Sequence, residues 1–270
     1  MTTATAPRID VRLEGRPAGR IATVTIDNAA KLNALGRDLL AEFVAAIGRL
    51  GEDAELRAIV VTGAGERAFT GGADIREMEA IDGPDAARGF IGQVHAACAA
   101  VRAAPVPVIA RVHGFCFGAG LELAASCDFR VASSAAVFGM PEVRLGIPSV
   151  VEAALLPQLI GWGRTRRLLY TGETLGADQA LTWGLVEEVV APGDLDAALE
   201  TRLADILACG PTAIRQQKAL IRAWESLPPA AAIEAGIEAF AHAYRTDEPK
   251  RMMADFLAAQ AARKESPAVS

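Results

Sequence analysis

Short apolar runs alternate with stretches of helical periodicity along this chain. Residues 9–14 and 21–27 read as two strands joined by the turn-rich GRPAGR, which predicts a hairpin. Residues 37–51 set Leu39, Leu40, Phe43, Val44, Ile47 and Leu50 at helical spacing, so an amphipathic helix follows. The run 56–62 is apolar nearly throughout, as suits a strand covered on both faces. A long helix is predicted to start at Pro84 or Asp85 and to end before Pro105, where a second apolar, β-branched strand begins at 107–112. Both buried strands run into glycine. Gly63-Ala64-Gly65 and Phe69-Thr70-Gly71-Gly72-Ala73-Asp74-Ile75 follow the first, and Gly114, Gly118 and Gly120 follow the second. The first half of the chain therefore repeats one order of events twice: buried strand, glycine-rich loop, helix start. The second repeat enters the apolar run 121–127, whose helical reading puts Glu122 in its first turn.

After a strand at 128–131, Phe138-Gly139-Met140-Pro141-Glu142 sets a second acid in apolar surroundings. Ser149 is positioned to cap a helix over 150–160, with Glu152 in its first turn. Short helices are predicted at 164–170 and 177–183, the latter ended by Gly184 before a strand at 186–190. From residue 195 on, LDAALETRLADILA, PTAIRQQKALIRAW, AAIEAGIEAFAHAYR and KRMMADFLAAQAARK read as successive amphipathic helices, punctuated by Gly210-Pro211, Pro228-Pro229 and Pro249. Two apolar faces on each would leave one face for a partner. The pattern divides the chain into an α/β core, 1–194, and a C-terminal helical segment, 195–270, with a disordered tail expected over 265–270.

Composition narrows the function classes. At 270 residues and 51% hydrophobic content the chain buries a sizeable core. A net charge of −6, with Lys and Arg scattered, argues against nucleic acid as a partner. No apolar run approaches the roughly 18 to 20 residues of a membrane span, and MTTATAPRID lacks the regions of a signal peptide, so a cytoplasmic protein is expected. Cys98, Cys116, Cys127 and Cys209 show no C-x-x-C spacing and are read as buried, reduced thiols.

The candidate chemistry lies between Val108 and Glu142. Glycines ahead of a helix let backbone approach a ligand, and the unpaired N–H groups of the first turn hold an oxygen that carries negative charge. Two carboxylates beside such a site are the parts of an acid–base machine for a carbonyl compound. Taken singly, each acid has a plain explanation: Glu122 as a helix N-terminal residue favoured by the dipole, Glu142 as a surface acid after a proline turn. Gly63-Ala64-Gly65 and Gly118-Ala119-Gly120 do not complete the G-x-G-x-x-G of a dinucleotide site, and no Gly-Lys-Ser/Thr supports a P-loop. His95, His113 and His242 are scattered, so no metal is expected, and there is no G-x-S-x-G elbow for a serine nucleophile.

KLNAL at Lys31, AFTGGADI from Ala68, HGFCFGAGLELAASCD and FGMPEVRLGIP, in this order, resemble the enoyl-CoA hydratase/isomerase (crotonase) superfamily, over about residues 21–256. The resemblance implies an α/β spiral of β-β-α units, with the C-terminal helices packing trimers that often pair into hexamers. It implies an acyl-CoA thioester substrate, as in fatty-acid metabolism, and no cofactor beyond the coenzyme A of that substrate. It places the backbone amides of Ala73 and Ala119 in an oxyanion hole, and matches Glu122 and Glu142 to the two catalytic acids of the hydratases. Lys31, Leu32, Ala34, Gly72, Asp74, Ile75, Gly118 and Phe256 fall where the family binds the acyl-CoA, although Asp74 read alone fixes the backbone of its own loop.

Carrying both acids points to a hydratase: water must lose a proton while the neighbouring carbon gains one, and an ionised and a neutral carboxyl together achieve this. The sequence leaves open which glutamate is the acid. The same hole also suits an isomerase, a dehydratase or a retro-aldol lyase, and a non-catalytic CoA-binding scaffold is the alternative from another class. Three departures stand out. Ala119 replaces the middle glycine of a Gly-Gly-Gly run, Ser149-Val150-Val151-Glu152-Ala153 replaces a glycine-rich turn, and Leu257-Ala258-Ala259 stands where a basic residue commonly follows Phe256. The second brings Glu152 toward the acyl pocket, either as a helix first-turn acid or as part of a polar pocket for a non-standard acyl chain.

Overall fold

Strands β1 (Arg8–Arg16) and β2 (Gly19–Asp27) form the expected hairpin, paired antiparallel from Arg8 with Asp27 to Arg16 with Gly19. The structure, a computed structural model, describes residues 6–265, with side chains to residue 262. It comprises two compact units, one ending at Ala204 and the other beginning at Asp205.

In the first unit, α1 (Arg37–Gly51) leads to β3 (Leu56–Gly63), all eight residues of which are buried. The chain then places a three-residue strand, β4 (Ala68–Thr70), before α2 (Ile75–Glu79) and α3 (Gly83–Ala103). The same order recurs in β5 (Val108–Val112), β6 (Phe115–Phe117) and α4 (Ala119–Ser126), and again in β7 (Phe129–Ser133) and β8 (Val137–Gly139). Each turn of this spiral gives its long strand to one sheet and its short strand to another. The larger sheet has the order β1-β2-β3-β5-β7-β10, parallel from β2 onward, and is completed by β10 (Glu188–Val190). The smaller has the order β4-β6-β8-β9, parallel except for β9 (Thr174–Gly176). α1 packs on α3 and α3 on α4, and Phe43, Ile59, Phe69, Ile109 and Leu121 are fully buried in the core.

The four strands of the smaller sheet did not declare themselves in the sequence, because three residues are too few to show a period of two. One predicted helix changes identity at its start, where residues 151–155 form a 3₁₀ turn (Val151–Leu155). α5 (Leu156–Thr171) follows as two helical stretches broken at Gly161, at φ 77° and ψ 155°, which is where the sequence places the break. Ser149 does not cap this segment: no side chain caps the turn, and the Ser149 hydroxyl is engaged elsewhere. Cys98, Cys116 and Cys127 are buried, but Cys209 is exposed, which corrects its reading as a buried thiol. The last helix of the core region is α6 (Ala177–Trp183).

The division between the units falls within α7 (Leu195–Leu207). The second unit contains α8 (Pro211–Trp224), α9 (Pro229–Ala243) and α10 (Glu248–Glu265). Glu248 caps α8, its carboxylate accepting from the amides of Thr212 at 3.0 Å and Ala213 at 2.9 Å. Of the tail predicted to be disordered, Glu265 ends α10 and residues 266–270 lie outside the described residues. Among the described residues no helix is long and apolar enough to cross a membrane.

The turn from β5 into β6 depends on Gly114. Its φ is +55°, and a Cβ there would stand 2.1 Å from the Arg67 carbonyl oxygen, which accepts from Phe115 N–H. Gly114→Ala adds a left-handed strain and a backbone clash, and is expected to cost at least about 2 kcal/mol of stability. Urea unfolding of the variant measures this, and an unchanged midpoint contradicts it.

Candidate active site

The site is built where the two glycine-rich loops meet. The loop before α1 is pinned to the loop after β4 by three backbone bonds: Gly71 N–H to Leu32 O at 2.7 Å, Leu35 N–H to Gly72 O at 2.8 Å, and Asp74 N–H to Leu35 O at 2.9 Å. Since Leu35 bonds the residues on either side of Ala73, the N–H of Ala73 itself points away from Leu35. Gly120, in the first turn of α4, lies against the end of β4 so closely that a Cβ would be 2.3 Å from Thr70 Cγ2. Gly72 approaches the same helix: a Cβ there would be 2.9 Å from Phe117 O and 3.8 Å from Ala119 N. The loop bearing the Ala73 amide is thereby brought against the amino end of α4. Ala119 is the first residue of that helix, and its N–H is among those for which a helix has no internal acceptor.

The other end of α4 is closed by a buried cation. Arg130 on β7, 2% exposed, donates to the carbonyls of Ala124 and Cys127, each at 3.2 Å, and pairs with Glu187. Positive charge at the carboxyl end complements the helix dipole and fixes the helix against the sheet.

Glu122 is 4% exposed, and its Oε1 accepts from Ala153 N–H at 3.2 Å. Burial, with the negative charge of Glu142 next and that of Glu152 last, pushes its carboxyl up to about 8, against the opposing hydrogen bond from Ala153. At neutral pH Glu122 therefore carries a proton. Glu142 begins a 3₁₀ turn (Glu142–Leu145) and is half-buried. Its Oε1 lies against Gly118, where a Cβ would be 2.4 Å away, and its Oε2 accepts the Ser149 hydroxyl at 2.7 Å. Gly118 thus stands between the two acids, since its carbonyl accepts from Glu122 N–H at 3.0 Å. One protonated and one partly solvated carboxyl beside outward-facing amides form an arrangement suited to proton transfer next to a polarised carbonyl.

Of the other predicted residues, Lys31, Leu32, Ala34, Gly72, Asp74 and Gly118 lie on these joined segments, and Ile75 opens α2. Lys31 Nζ is 2.9 Å from Asp74 Oδ2, and this ammonium holds the Asp74 carboxyl below its usual range. Asp74 Oδ1 also accepts from Arg76 N–H, capping α2, so the aspartate fixes its own loop as its sequence position suggested. Ile75 is exposed. Phe256 belongs to the second unit, on α10, and is exposed as well.

Three residues that sequence reasoning passed over hold the site. Asn33 is fully buried at φ 57° and donates to Ala64 O and Ala68 O while accepting from Asn28 N–H. The signal was an asparagine amid apolar residues, the side chain best able to take left-handed backbone and to tie loops together. Thr70 accepts from Gly72 N–H through its hydroxyl. His95, on α3, meets Glu152 at 2.8 Å, a contact across 57 residues that no local pattern announces. Among the described residues no group of three or more His, Cys, Asp or Glu is placed to hold a metal.

The family model for enoyl-CoA hydratase/isomerase matches residues 16–264, and the chain belongs to that family. It is 37% identical to a short-chain-enoyl-CoA hydratase of Clostridium acetobutylicum over 241 residues, covering 88% of this chain and 92% of that protein. It is 36% identical to a crotonyl-CoA hydratase of Syntrophomonas wolfei, with the same coverage. Among solved structures, the enoyl-CoA hydratase of Mycobacterium smegmatis superposes with a TM-score of 0.87 at 30% identity, over 92% of this chain and 95% of that one.

The Glu122 carboxyl makes stability depend on pH. Its value in the fold, about 8, exceeds the ordinary 4.5, so its contribution is fully present below pH 4.5 and is lost as pH rises toward 8. Glu122→Gln, which does not ionise, escapes this loss. Relative to wild type it is expected to gain on the order of 3 kcal/mol between pH 5 and pH 8. Paired unfolding curves across that range test the sign, and a difference that stays flat with pH removes the burial argument.

Proposed function

We propose that the protein is an enoyl-CoA hydratase that adds water to a trans-2-enoyl-CoA to give a 3-hydroxyacyl-CoA. The observation that carries this reading is the buried Glu122 at the amino end of α4, with both it and Glu142 set against Gly118. The thioester oxygen accepts from the amides of Ala73 and Ala119, which meet the enolate charge as it develops, each worth about 3 kcal/mol in comparable sites. The positive end of α4 acts on the same oxygen. A water held between Glu122 and Glu142 attacks carbon 3. One carboxyl takes a proton from that water while the other delivers one to carbon 2, so the pair ends with the one proton it began with. The CoA portion extends along Lys31, Leu32, Ala34, Gly72, Asp74, Ile75 and Gly118, and Phe256 contributes to a neighbouring subunit's site.

In this reading the working form is a homotrimer or a pair of trimers. Ile233, Ile237 and Phe240 lie exposed along one face of α9, with Tyr244 exposed just after it, and Met253, Phe256 and Leu257 are exposed on α10. Apolar faces of this extent call for a covering surface. The cytoplasm suits a chain with three buried free thiols, Cys98, Cys116 and Cys127.

Glu122→Gln and Glu142→Gln are each expected to lower turnover by about 10² to 10⁴ while leaving acyl-CoA affinity near wild type. Assays in deuterated water check the chemistry: a 2-enoyl-CoA gives a 3-hydroxyacyl-CoA labelled at carbon 2. Rapid double-bond migration of a 3-enoyl-CoA, with no hydroxyacyl product from a 2-enoyl-CoA, would overturn the assignment in favour of an isomerase. Light scattering is expected to find a trimer or hexamer, and a stable monomer at micromolar concentration refutes the assembly.

A further inference from the structure

Glu152 is a buried acid that the hydration chemistry leaves unused. It is 7% exposed, and its Oε1 is 2.8 Å from His95 Nδ1. The proton of that contact lies between Nδ1 and Oε1 whichever group holds it, so the other oxygen, Oε2, is left as an acceptor. Oε2 is shielded from solvent and takes no hydrogen bond from any described residue. A buried carboxyl oxygen without a donor costs stability unless a ligand supplies one.

The position of Glu152 says what ligand group would reach it. The 3₁₀ turn that carries it packs on α3 and α4, and the next residue, Ala153, donates directly to the Glu122 carboxyl. Its own charge acts on Glu122 as well. Glu142 lies against Gly118, while Glu152 sits next to Ala153, the partner of Glu122, and is bonded to His95 on α3. An acyl tail that continued past Glu122 toward α3 would meet Glu152. Backbone strain marks the same spot. Val151, immediately before Glu152, has φ 38°, a left-handed conformation that β-branched residues avoid.

We infer that Glu152, oriented by His95, is a specificity-determining residue whose Oε2 accepts a hydrogen bond from a donor group on the acyl tail. The substrate class is a 2-enoyl thioester bearing a hydroxyl or comparable N–H or O–H donor a few carbons beyond the double bond. This rests on the reading of the site as an acyl-CoA hydratase, and the two are tested apart.

The test compares 6-hydroxy-2-hexenoyl-CoA with 2-hexenoyl-CoA. Wild type is expected to favour the hydroxylated thioester about tenfold in kcat/KM, chiefly through KM, the change that one hydrogen bond of about 1.4 kcal/mol makes. Glu152→Leu is expected to abolish that preference, and Glu152→Gln, which keeps the volume and an acceptor oxygen, to retain most of it. Calorimetry with the saturated 6-hydroxyhexanoyl-CoA and hexanoyl-CoA measures the same preference without turnover. If neither enoyl thioester is hydrated but Glu152→Leu still erases a binding preference for the hydroxylated analogue, the specificity role stands and the hydratase reading falls. Equal binding of the two analogues by wild type, or a preference that survives in Glu152→Leu, overturns the role of Glu152.

Discussion

Everything at this site follows from the contact between the first turn of α4 and the end of β4. Gly120 fits against Thr70, where a Cβ would stand 2.3 Å from Cγ2, and Gly72 fits against Phe117, where a Cβ would stand 2.9 Å from the carbonyl oxygen. Two consecutive turns of the spiral touch there through glycine. A methyl group at either glycine would push the loop of Ala73 from the helix of Ala119, and the two amides proposed to share one oxygen would part. The larger sheet supplies the rigidity behind this contact, because β3 and β5 lie side by side in parallel and each hands its chain to a loop on the same side.

The fold also sets the electrostatics. α4 is a short helix with all eight residues buried, so its polar ends must be satisfied by something other than water. Arg130 satisfies the carboxyl end from within the core, while the amino end faces the acids and the second loop. The consequence for Glu122 is specific. A carboxylate in a helix first turn is ordinarily helped to ionise by the dipole, yet burial and the neighbouring Glu142 dominate and hold it neutral. A group kept protonated at neutral pH at the expense of stability is the condition for acid–base work without a metal ion, as the hydration reaction requires.

The sequence revealed those parts of the fold whose pattern is long enough to carry a period. The hairpin of β1 and β2, the buried strand β3, and the helices α1 and α3 were all apparent from apolar spacing, and glycine clusters marked both functional loops. Glu122 in the first turn of a helix was readable for the same reason. What escaped was short or non-local. β4, β6, β8 and β9 have three residues each and are ordered by their neighbours rather than by their own sequence. Asn33 and His95 act on partners more than thirty residues away. Ser149 was misread because a serine ahead of an apolar run resembles a cap, whereas its hydroxyl reaches back seven residues to Glu142. Local chemistry predicts a partner on the backbone; tertiary structure offered a carboxylate instead.

The segment 149–153 shows how one stretch serves several needs at once. A glycine at position 151 would take φ 38° without cost, whereas valine there carries a strain of about 1 to 3 kcal/mol. The conformation persists because the residues on either side are fixed by the acids: Ser149 is bonded to Glu142, Ala153 to Glu122, and Glu152 to His95. Three elements, which carry the two candidate acids and His95, are thereby tied by a single strained turn. Relaxing Val151 would require breaking one of those bonds, and each costs about as much to lose as the strain itself. The turn is held from three points, so the geometry around Glu122 and Glu142 is stiff although it is made largely of loops.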